Sequence, residues 1–313
     1  MRQKIIIDTD PGQDDAVAIL LALASPDEIE LLAIVAVAGN VPLSRTSLNA
    51  RKVLELAGRR DIKVYAGCER PLARELRTAE HVHGPTGLDG PSFPEPVMPL
   101  EKQHGVDYLV ETLLALEPKT VTICALGPLT NMAMALVKAP RIADRVQRIV
   151  LMGGAYFEVG NITPAAEFNI FVDPEAADVV LKSGIPIFML PLDVTHKALM
   201  TSARLARVRA LGNKAGIAVA DMLSFSQQFD LKKYGWDGAP VHDPNVIAYL
   251  LQPDLYRGRL INVSIETMSP LTRGMTVADW WQITDRPRNV TLLKDVDADG
   301  FFELLTSRLA RLA

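Results

Sequence analysis

The chain has 313 residues, of which 49% are hydrophobic and 22% charged, and its formal net charge is −4. This composition predicts one large soluble domain over residues 1–313 with a sizeable core, and the absence of a Lys/Arg block argues against nucleic acid as a partner. Cys68 and Cys124 match neither a disulfide framework nor a metal motif, so we expect a cytoplasmic protein that does not enter the membrane.

The first predicted elements are a short strand and a helix. Ile5 to Ile7 is an apolar, β-branched run typical of a strand buried on both faces. Pro11 and Gly12 predict a turn. The apolar positions from Ala16 to Leu23 then predict a helix. This strand–turn–helix unit starts an α/β pattern.

Four carboxylates lie where this strand ends and the helix begins: Asp8, Asp10, Asp14 and Asp15. Capping and the helix dipole account for the last two but not for the first two. Two unit charges 4 Å apart repel by roughly 4 kcal/mol at an effective dielectric of 20, and no Lys or Arg follows them before Arg45. An all-oxygen ligand set favours a hard cation, Ca²⁺ or Mg²⁺. We therefore expect a metal or polyhydroxyl site rather than a cluster of structural caps.

Strands and helices alternate along the rest of the chain. The sequence predicts strands at 30–38, 62–66, 120–126, 148–152 and 185–190, and helices at 42–57, 106–116, 129–137 and 173–182. Later segments are a largely helical part at 199–252, late or edge strands at 260–265 and 290–294, and a closing helix at 297–312. This order predicts an α/β fold: a single large domain with a mainly parallel, Rossmann-like sheet flanked by helices. In such sheets the active site lies at the C-terminal ends of the strands.

Residues 67–103 interrupt this alternation with many prolines and glycines. A loop of this length inside a compact domain is usually functional or disordered. It contains His81, His83 and Asp89, which favours an active-site loop.

Polar residues follow each predicted strand. They are Asn40, Thr130-Asn131, Asn161, the segment 166–170, Asp193, Thr195, His196 and, late in the chain, His242-Asp243. Asp243 precedes Pro244 and alone is best interpreted as a helix N-cap. The carboxylate cluster needs a further acidic ligand, which makes Asp243 a candidate. Dinucleotide, Walker, serine-elbow and H-E-x-x-H motifs are absent.

Together these motifs resemble the inosine–uridine-preferring nucleoside hydrolase family over essentially the whole chain. The matching stretches are residues 8–16, 38–40, 83–84, 127–131, 151–154, 160–161, 166–169, 173–177, 192–195, 241–244 and 274–279. So many motifs in this order are a specific match.

The resemblance implies hydrolysis of the N-glycosidic bond of ribonucleosides to ribose and free base, in nucleoside catabolism or salvage, with a tightly held Ca²⁺. It implies Asp10, Asp15, Asp243 and the backbone carbonyl of Leu126 as metal ligands. Asp10 would also be the general base for the attacking water. A homotetramer or homodimer is expected, since relatives commonly form one or the other.

The resemblance also implies roles on the two sides of the scissile bond. The residues expected to hold the ribose are Asp14, Asn40, Met152, Asn161, Glu167 and Asn169. Phe168 would stabilise a ribosyl oxocarbenium transition state. On the base side, His242 is the expected leaving-group acid, and His83 and Tyr234 are expected beside the base.

Departures from the family pattern bear on which base the enzyme prefers. Asp230 stands where some pyrimidine-preferring relatives carry Gln, whereas Leu88-Asp-Gly-Pro91 resembles the pyrimidine-preferring branch. We expect uridine and cytidine to be favoured over inosine. Gln13 replaces His or an aliphatic residue and carries no assigned role.

Two other functions fit parts of the sequence. A Mg²⁺-dependent phosphohydrolase would use Asp8 and Asp10 but needs a later Lys and leaves Asn161 and Glu167 without a role. A non-catalytic ribose- or Ca²⁺-binding protein would have no use for His242.

Overall fold

The computed structural model describes residues 2–313. Within them the strands are β1 (Gln3–Thr9), β2 (Ile29–Ala36), β3 (Lys63–Ala66), β4 (Val121–Ala125), β5 (Val146–Met152), β6 (Ile187–Leu190), β7 (Leu199–Thr201), β8 (Gly238–Pro240), β9 (Tyr256–Ile261), β10 (Val263–Ile265), β11 (Thr276–Ala278) and β12 (Val290–Val296). The α-helices are α1 (Gln13–Leu23), α2 (Leu43–Leu56), α3 (Glu80–His83), α4 (Gly105–Ala115), α5 (Thr130–Lys138), α6 (Phe168–Val172), α7 (Pro174–Leu181), α8 (Leu192–Thr195), α9 (Ser202–Arg209), α10 (Lys214–Tyr234), α11 (Pro244–Leu251) and α12 (Ala298–Leu309). Short 3-10 helices lie at Pro140–Asp144 and Pro253–Leu255.

An eight-stranded sheet in the order β3-β2-β1-β4-β5-β6-β12-β9 forms the centre of the molecule. Each neighbouring pair is parallel except β12 and β9, which are antiparallel at one edge. The chain leaves β1 towards β2 on one side and returns to β4 on the other side. The gap between β1 and β4 is therefore the point where the strand order reverses, and ligands bind at such a point in open α/β sheets.

The sheet is covered on both faces, as the apolar strands predict. Ile5 and Ile7 pack into the core on one face, with residues of α1, α11 and α12. Ile6 faces the opposite core, which includes residues of α4, α5 and α7. This alternation follows from the two-residue period of a strand. Because both faces are buried, β1 can be apolar over Ile5 to Ile7, directly before the carboxylates.

The predicted mainly parallel α/β domain is confirmed, and most elements lie within a few residues of their expected places. Residues 199–252 are mostly helical as expected, but the short antiparallel pair β7 and β8 lies in them as well. The late segment 260–265 spans two sheets, since β9 joins the large sheet and β10 pairs with β11. Residues 67–103 are largely irregular apart from the one-turn helix α3. Of the helices in residues 2–313, none is long and apolar enough to cross a membrane.

Candidate active site

A cavity of about 890 Å³ opens over the C-terminal ends of the strands. Twelve of the residues expected from the sequence line it: Asp14, Asn40, His83, Leu126, Met152, Asn161, Glu167, Phe168, Asn169, Tyr234, His242 and Asp243. Asp10 and Asp15 do not line it, because both have 0% of their surface exposed. Asp10 and Asp15 are therefore buried behind the residues that line the cavity.

Three carboxylates converge from two helix N-termini. One side-chain oxygen from each of Asp14, Asp15 and Asp243 lies within 4.8 Å of the others. Asp14 and Asp15 are in the first turn of α1, and Asp243 is the N-cap residue of α11, which packs against α1. The Asp243 side chain makes no capping hydrogen bond, so its carboxylate is directed to the cluster rather than to its own helix. The positive ends of both helix dipoles favour this negative charge.

Asp10 is held between two glycines. A Cβ atom at Gly39 would come within 2.0 Å of Asp10 Oδ2, and one at Gly127 within 2.2 Å of Asp10 Oδ1. The backbone N–H of Asn40 donates to Oδ2 at 2.7 Å. Oδ1 is buried and has no hydrogen-bond partner among residues 2–313. An unpaired buried carboxylate oxygen is costly and calls for a ligand.

Asp15 is fixed by its neighbours in the strand–turn–helix unit. Its Oδ1 accepts from the Thr9 hydroxyl at 2.5 Å, and its Oδ2 accepts from the Gly12 N–H at 2.9 Å. The Asn40 side chain donates to the same Oδ2 at 3.1 Å and to the Asp10 carbonyl at 3.2 Å. Asn40 thus links Asp10 and Asp15 at the edge of the cavity.

Burial first, and then the mutual repulsion of these groups, raises the carboxyl pKa values. The pKa of Asp15 rises to about 7 through burial and the charge of Asp14. The pKa values of Asp10 and Asp243 are raised for the same two kinds of reason. Lys233 is the only basic Lys or Arg among the described residues that line the cavity, and its Nζ donates to the Asn161 carbonyl at 2.7 Å. The cluster therefore lacks a protein counter-charge, and its oxygen donors fit a hard cation.

Asp8 is separate from this cluster. Its Oδ1 accepts from the Asn131 side-chain amide at 2.8 Å, and burial raises its pKa to about 7. It is 1% exposed and does not line the cavity. The same Asn131 also receives the Cys68 N–H at 2.7 Å. Asp8 and Asn131 therefore join strands and loops beneath the site.

Polar groups on α6 and the loop before it line one side of the cavity. Glu167 caps α6 by accepting from the N–H groups of Asn169 and Ile170, and it also accepts from Gly154. Burial raises its pKa to about 7. The Asn169 side chain donates to the Leu126 carbonyl at 2.8 Å. Asn161 accepts from the Phe168 N–H at 2.9 Å. These contacts hold the predicted ribose residues in place.

His83 is fixed by Gln13, a residue for which we expected no role from the sequence. His83 Nδ1 lies 2.6 Å from Gln13 Oε1, and Gln13 Nε2 donates to the His83 carbonyl at 2.9 Å. Burial lowers the pKa of His83 below its usual range. Gln13 thus joins α3, from the irregular segment, to the first turn of α1. No sequence signal other than its place beside Asp14 pointed to this contact.

His242 lies on the opposite wall with an aromatic group. Its Nδ1 is 2.8 Å from the Thr195 hydroxyl, and burial lowers its pKa to about 4. In the tautomer in which the Thr195 hydroxyl donates to Nδ1, the ring proton lies on Nε2. His196, left without a role by the sequence, lies 6.1 Å from His242 between ring centroids. Tyr234 stacks on Trp236 at 4.4 Å.

Comparisons with known proteins show the family and fold to which the chain is similar. The model of the family described as inosine-uridine preferring nucleoside hydrolase matches residues 5–303. The chain is 57% identical over 309 residues to an uncharacterized protein of Schizosaccharomyces pombe, with 99% of each covered. It is 48% identical over 312 residues to the pyrimidine-specific ribonucleoside hydrolase RihA of Photobacterium profundum, again with 99% of each covered. A solved purine-preferring ribonucleoside hydrolase from Gardnerella vaginalis is similar with a TM-score of 0.92 at 33% identity, covering 98% of both chains.

Proposed function

The chain belongs to the inosine-uridine preferring nucleoside hydrolase family and is a ribonucleoside hydrolase, and from that premise we propose the substrate, metal and residue roles of its reaction. The proposed reaction releases the free base and ribose from uridine and cytidine. The observation that carries it is the set of buried carboxylates beside the cavity, with one oxygen of Asp10 unpaired.

The proposed metal is Ca²⁺, held by Asp10, Asp15, Asp243 and the Leu126 carbonyl. When bound, the cation lowers the pKa of the attacking water and attracts the ribose hydroxyls. The support is the oxygen-only donor set and the raised pKa values of its three carboxyls. Asp14, which is closer to Asp15 and Asp243 than the sequence suggested, is a neighbour of these ligands.

Asp10 is the proposed general base. Its Oδ2 is held by the Asn40 N–H, while Oδ1 is free to take a proton. Water adds to C1′ of the ribose and gives its proton to Asp10, while the bond from C1′ to the base nitrogen breaks. The two glycines beside Asp10 keep its carboxylate in one orientation.

Six residues would bind the ribose: Asp14, Asn40, Met152, Asn161, Glu167 and Asn169. All six line the cavity near the carboxylates. Charge that develops on the ribosyl oxocarbenium would be stabilised by Glu167 and by the ring of Phe168. A polyhydroxyl substrate uses this density of acceptors and donors, which an apolar ligand would leave unpaired.

His242 would serve the leaving base. Its pKa of about 4 in this structure means that the neutral ring is the main form near pH 7. A neutral ring with its proton on Nε2 would donate a hydrogen bond to the departing base and stabilise the negative charge that develops there. To transfer a proton as the leaving-group acid, the ring would first have to bind a second proton, which the charge of Asp14 favours. His83 and Tyr234, which also line the cavity, would contact the base.

A preference for pyrimidines rests on the relatives and on two sequence features. Proteins at 46–48% identity are called pyrimidine-specific, whereas a solved structure at 33% identity is called purine-preferring. Residues 88–91 resemble the pyrimidine-preferring branch, and Tyr234 matches a base-side aromatic residue of the family. Asp230, which lines the cavity, departs from it. We propose a pyrimidine preference because the pyrimidine-specific relatives are more similar in sequence to this chain than the purine-preferring one.

The residues that line the cavity do not support a phosphohydrolase function. Asp8, its proposed nucleophile partner, is buried and bound to Asn131. A binding protein without turnover would leave the arrangement of His242, Thr195 and Asp10 without purpose. Neither reading explains the family match over residues 5–303.

We also propose a cytoplasmic homo-oligomer, a tetramer or a dimer. Apolar side chains in the 268–283 segment are widely exposed, among them Met268 at 88%, Leu271 at 84% and Ile283 at 85%. The exposure of these three side chains supports a contact with another chain there. Sedimentation velocity of the purified protein measures the state, and a monomer at micromolar concentration would contradict it. Both cysteines are free, which fits a reducing compartment.

The function is tested by incubating the metal-loaded protein with uridine, cytidine, inosine, adenosine and a phosphate monoester. We expect free base and ribose in equal amounts, with kcat/KM for uridine and cytidine at least about tenfold above that for inosine. Faster turnover of inosine would overturn the base preference alone. Release of no base by protein shown to contain metal, or release of phosphate instead, would overturn the function.

A further inference from the structure

A second concavity lies behind one wall of the active-site cavity. It has a volume of about 510 Å³ and is lined by Arg74, Glu75, Arg77, Phe171, Val172 and Arg273. We call it the arginine notch. Its residues come from three segments: the stretch before α3, the end of α6, and the turn before β11. None of them belongs to the proposed nucleoside site.

Two of the three guanidinium groups in the notch have no acidic partner. Arg74 donates to Glu175 Oε1 at 2.9 Å and to the Thr267 carbonyl at 3.2 Å. Within residues 2–313, neither Arg77 nor Arg273 forms an ion pair with an Asp or Glu. Arg273 stacks on Phe171 with 4.9 Å from the guanidinium carbon to the ring centroid, and its Nε is buried without a hydrogen-bond acceptor. A buried N–H on a charged group without an acceptor is costly, and a bound anion would remove that cost.

The notch and the active-site cavity share a wall. Ala79, Phe168 and Val172 form one buried apolar cluster, and Leu76 packs against it. Ala79 and Phe168 line the cavity, whereas Val172 lines the notch. The chain runs from Arg77 through Ala79 directly into α3, which carries His83. A restraint on Arg77 would therefore act on the segment that positions His83.

We propose that the arginine notch binds a phosphate group, and that this binding holds the segment before α3 against α6 and the turn that carries Arg273. Guanidinium groups recognise phosphate oxygens in a bidentate manner, and three surround this notch. Glu75 is exposed in the same lining and opposes the anion. The phosphate is either inorganic or part of a sugar ester, since both present the same oxygens.

Binding is tested by titration calorimetry of inorganic phosphate into the metal-loaded full chain at low ionic strength. We expect Arg77→Gln and Arg273→Gln each to weaken the Kd by about tenfold, the size of one lost charged hydrogen bond. Glu75→Gln changes the charge in the opposite direction and should tighten the Kd. Arg141→Gln is the matched control, because Arg141 is exposed and lies on the Pro140–Asp144 helix, away from the notch. Melting temperatures of all variants check that each is folded.

The calorimetric results distinguish binding in the notch from binding elsewhere. Equal Kd values for wild type, Arg77→Gln and Arg273→Gln would place any bound phosphate elsewhere and overturn the site. Weakening by Arg141→Gln as large as that by Arg77→Gln would mean general charge attraction and would also overturn it. The same titration with ribose 5-phosphate distinguishes the sources: tighter binding than inorganic phosphate identifies the ester, and equal or weaker binding identifies free phosphate.

The effect on the active site is measured separately and rests on the proposed function. Phosphate at a concentration equal to the wild-type Kd should lower the KM for uridine in wild type and have a much smaller effect in Arg77→Gln, whose site would then be only about a tenth occupied. An unchanged KM in wild type that binds phosphate through the notch would overturn the coupling. Absence of all nucleoside turnover would count against the proposed function, while the calorimetric result on the notch would stand by itself.

Discussion

At the scale of single residues, the site depends on side chains that hold other side chains. Asp10 is oriented by Asn40 and enclosed by Gly39 and Gly127, while Thr9 fixes Asp15. Each contact sets which carboxylate oxygen is paired and which remains available. Preorganisation of this kind means that the acceptors do not rearrange when charge develops in the transition state.

Gln13 gives the first test at this scale. Gln13→Met keeps the volume of the side chain and removes both contacts to His83. We expect kcat/KM for uridine to fall by about tenfold, because net hydrogen-bond contributions of about 1 kcal/mol each are lost. Gln228→Met, on the exposed side of α10, is the control and should leave kcat/KM unchanged. An unaltered kcat/KM in Gln13→Met would show that His83 needs no such support.

At the scale of elements, the ends of neighbouring strands are tied together by side chains rather than by the sheet alone. Asn131, in the first turn of α5, donates to Asp8 of β1 and to the Ala36 carbonyl of β2, and accepts from the Cys68 N–H. The loops that follow β1, β2 and β3 are thereby held at fixed positions. The active site is built on these loops, so its residues are held in place as well.

Replacement of Asn131 tests whether these hydrogen bonds stabilise the fold. Asn131→Ala leaves the Cys68 N–H and the Asp8 carboxylate without their partner, and each such loss in a buried place costs about 1–3 kcal/mol. We expect the free energy of unfolding to fall by about 2–4 kcal/mol in urea titrations. A decrease below about 0.5 kcal/mol, the usual range for exposed substitutions, would contradict the role of this side chain.

The order of strands and helices could be predicted because β1, β2 and β4 each contain a short apolar run and helices such as α2 have one buried, apolar face. The proximity of Asp15 to Asp243 was expected only from the family resemblance and the need of the cluster for a further ligand, since it depends on the packing of α1 on α11. Short elements such as α3, α6, β7 and β8 were also not predicted, because three to five residues are too few to show a periodic pattern. Pairings such as Gln13 with His83 join distant segments and have no local signal.

At the scale of the whole molecule, the carboxylate cluster links stability to the bound cation. Asp10, Asp15 and Asp243 are buried, and their mutual repulsion opposes folding when no positive charge is present. A ligand that binds only the folded state stabilises it by mass action. We therefore expect a bound cation to stabilise the folded protein.

Metal removal tests this link. After prolonged dialysis against a strong chelator we expect the Tm to fall by about 5 °C or more, because a ligand at 100 times its Kd contributes about 2.7 kcal/mol. Ca²⁺ should restore the Tm, and Asp15→Asn should show a smaller response to Ca²⁺ than wild type. A Tm that does not change in protein shown by elemental analysis to be metal-free would contradict the cation site.

The central claim is that Asp10 removes the proton from the attacking water, and the most direct test compares Asp10→Asn with Asp8→Asn. The two substitutions are the same chemical change on one strand end, but only Asp10 combines an unpaired oxygen with a place between Gly39 and Gly127. With metal content shown to be equal, we predict that kcat for uridine falls at least about a thousandfold in Asp10→Asn and less than about tenfold in Asp8→Asn. Turnover by Asp10→Asn within tenfold of wild type, or equal losses in both variants, would contradict the account.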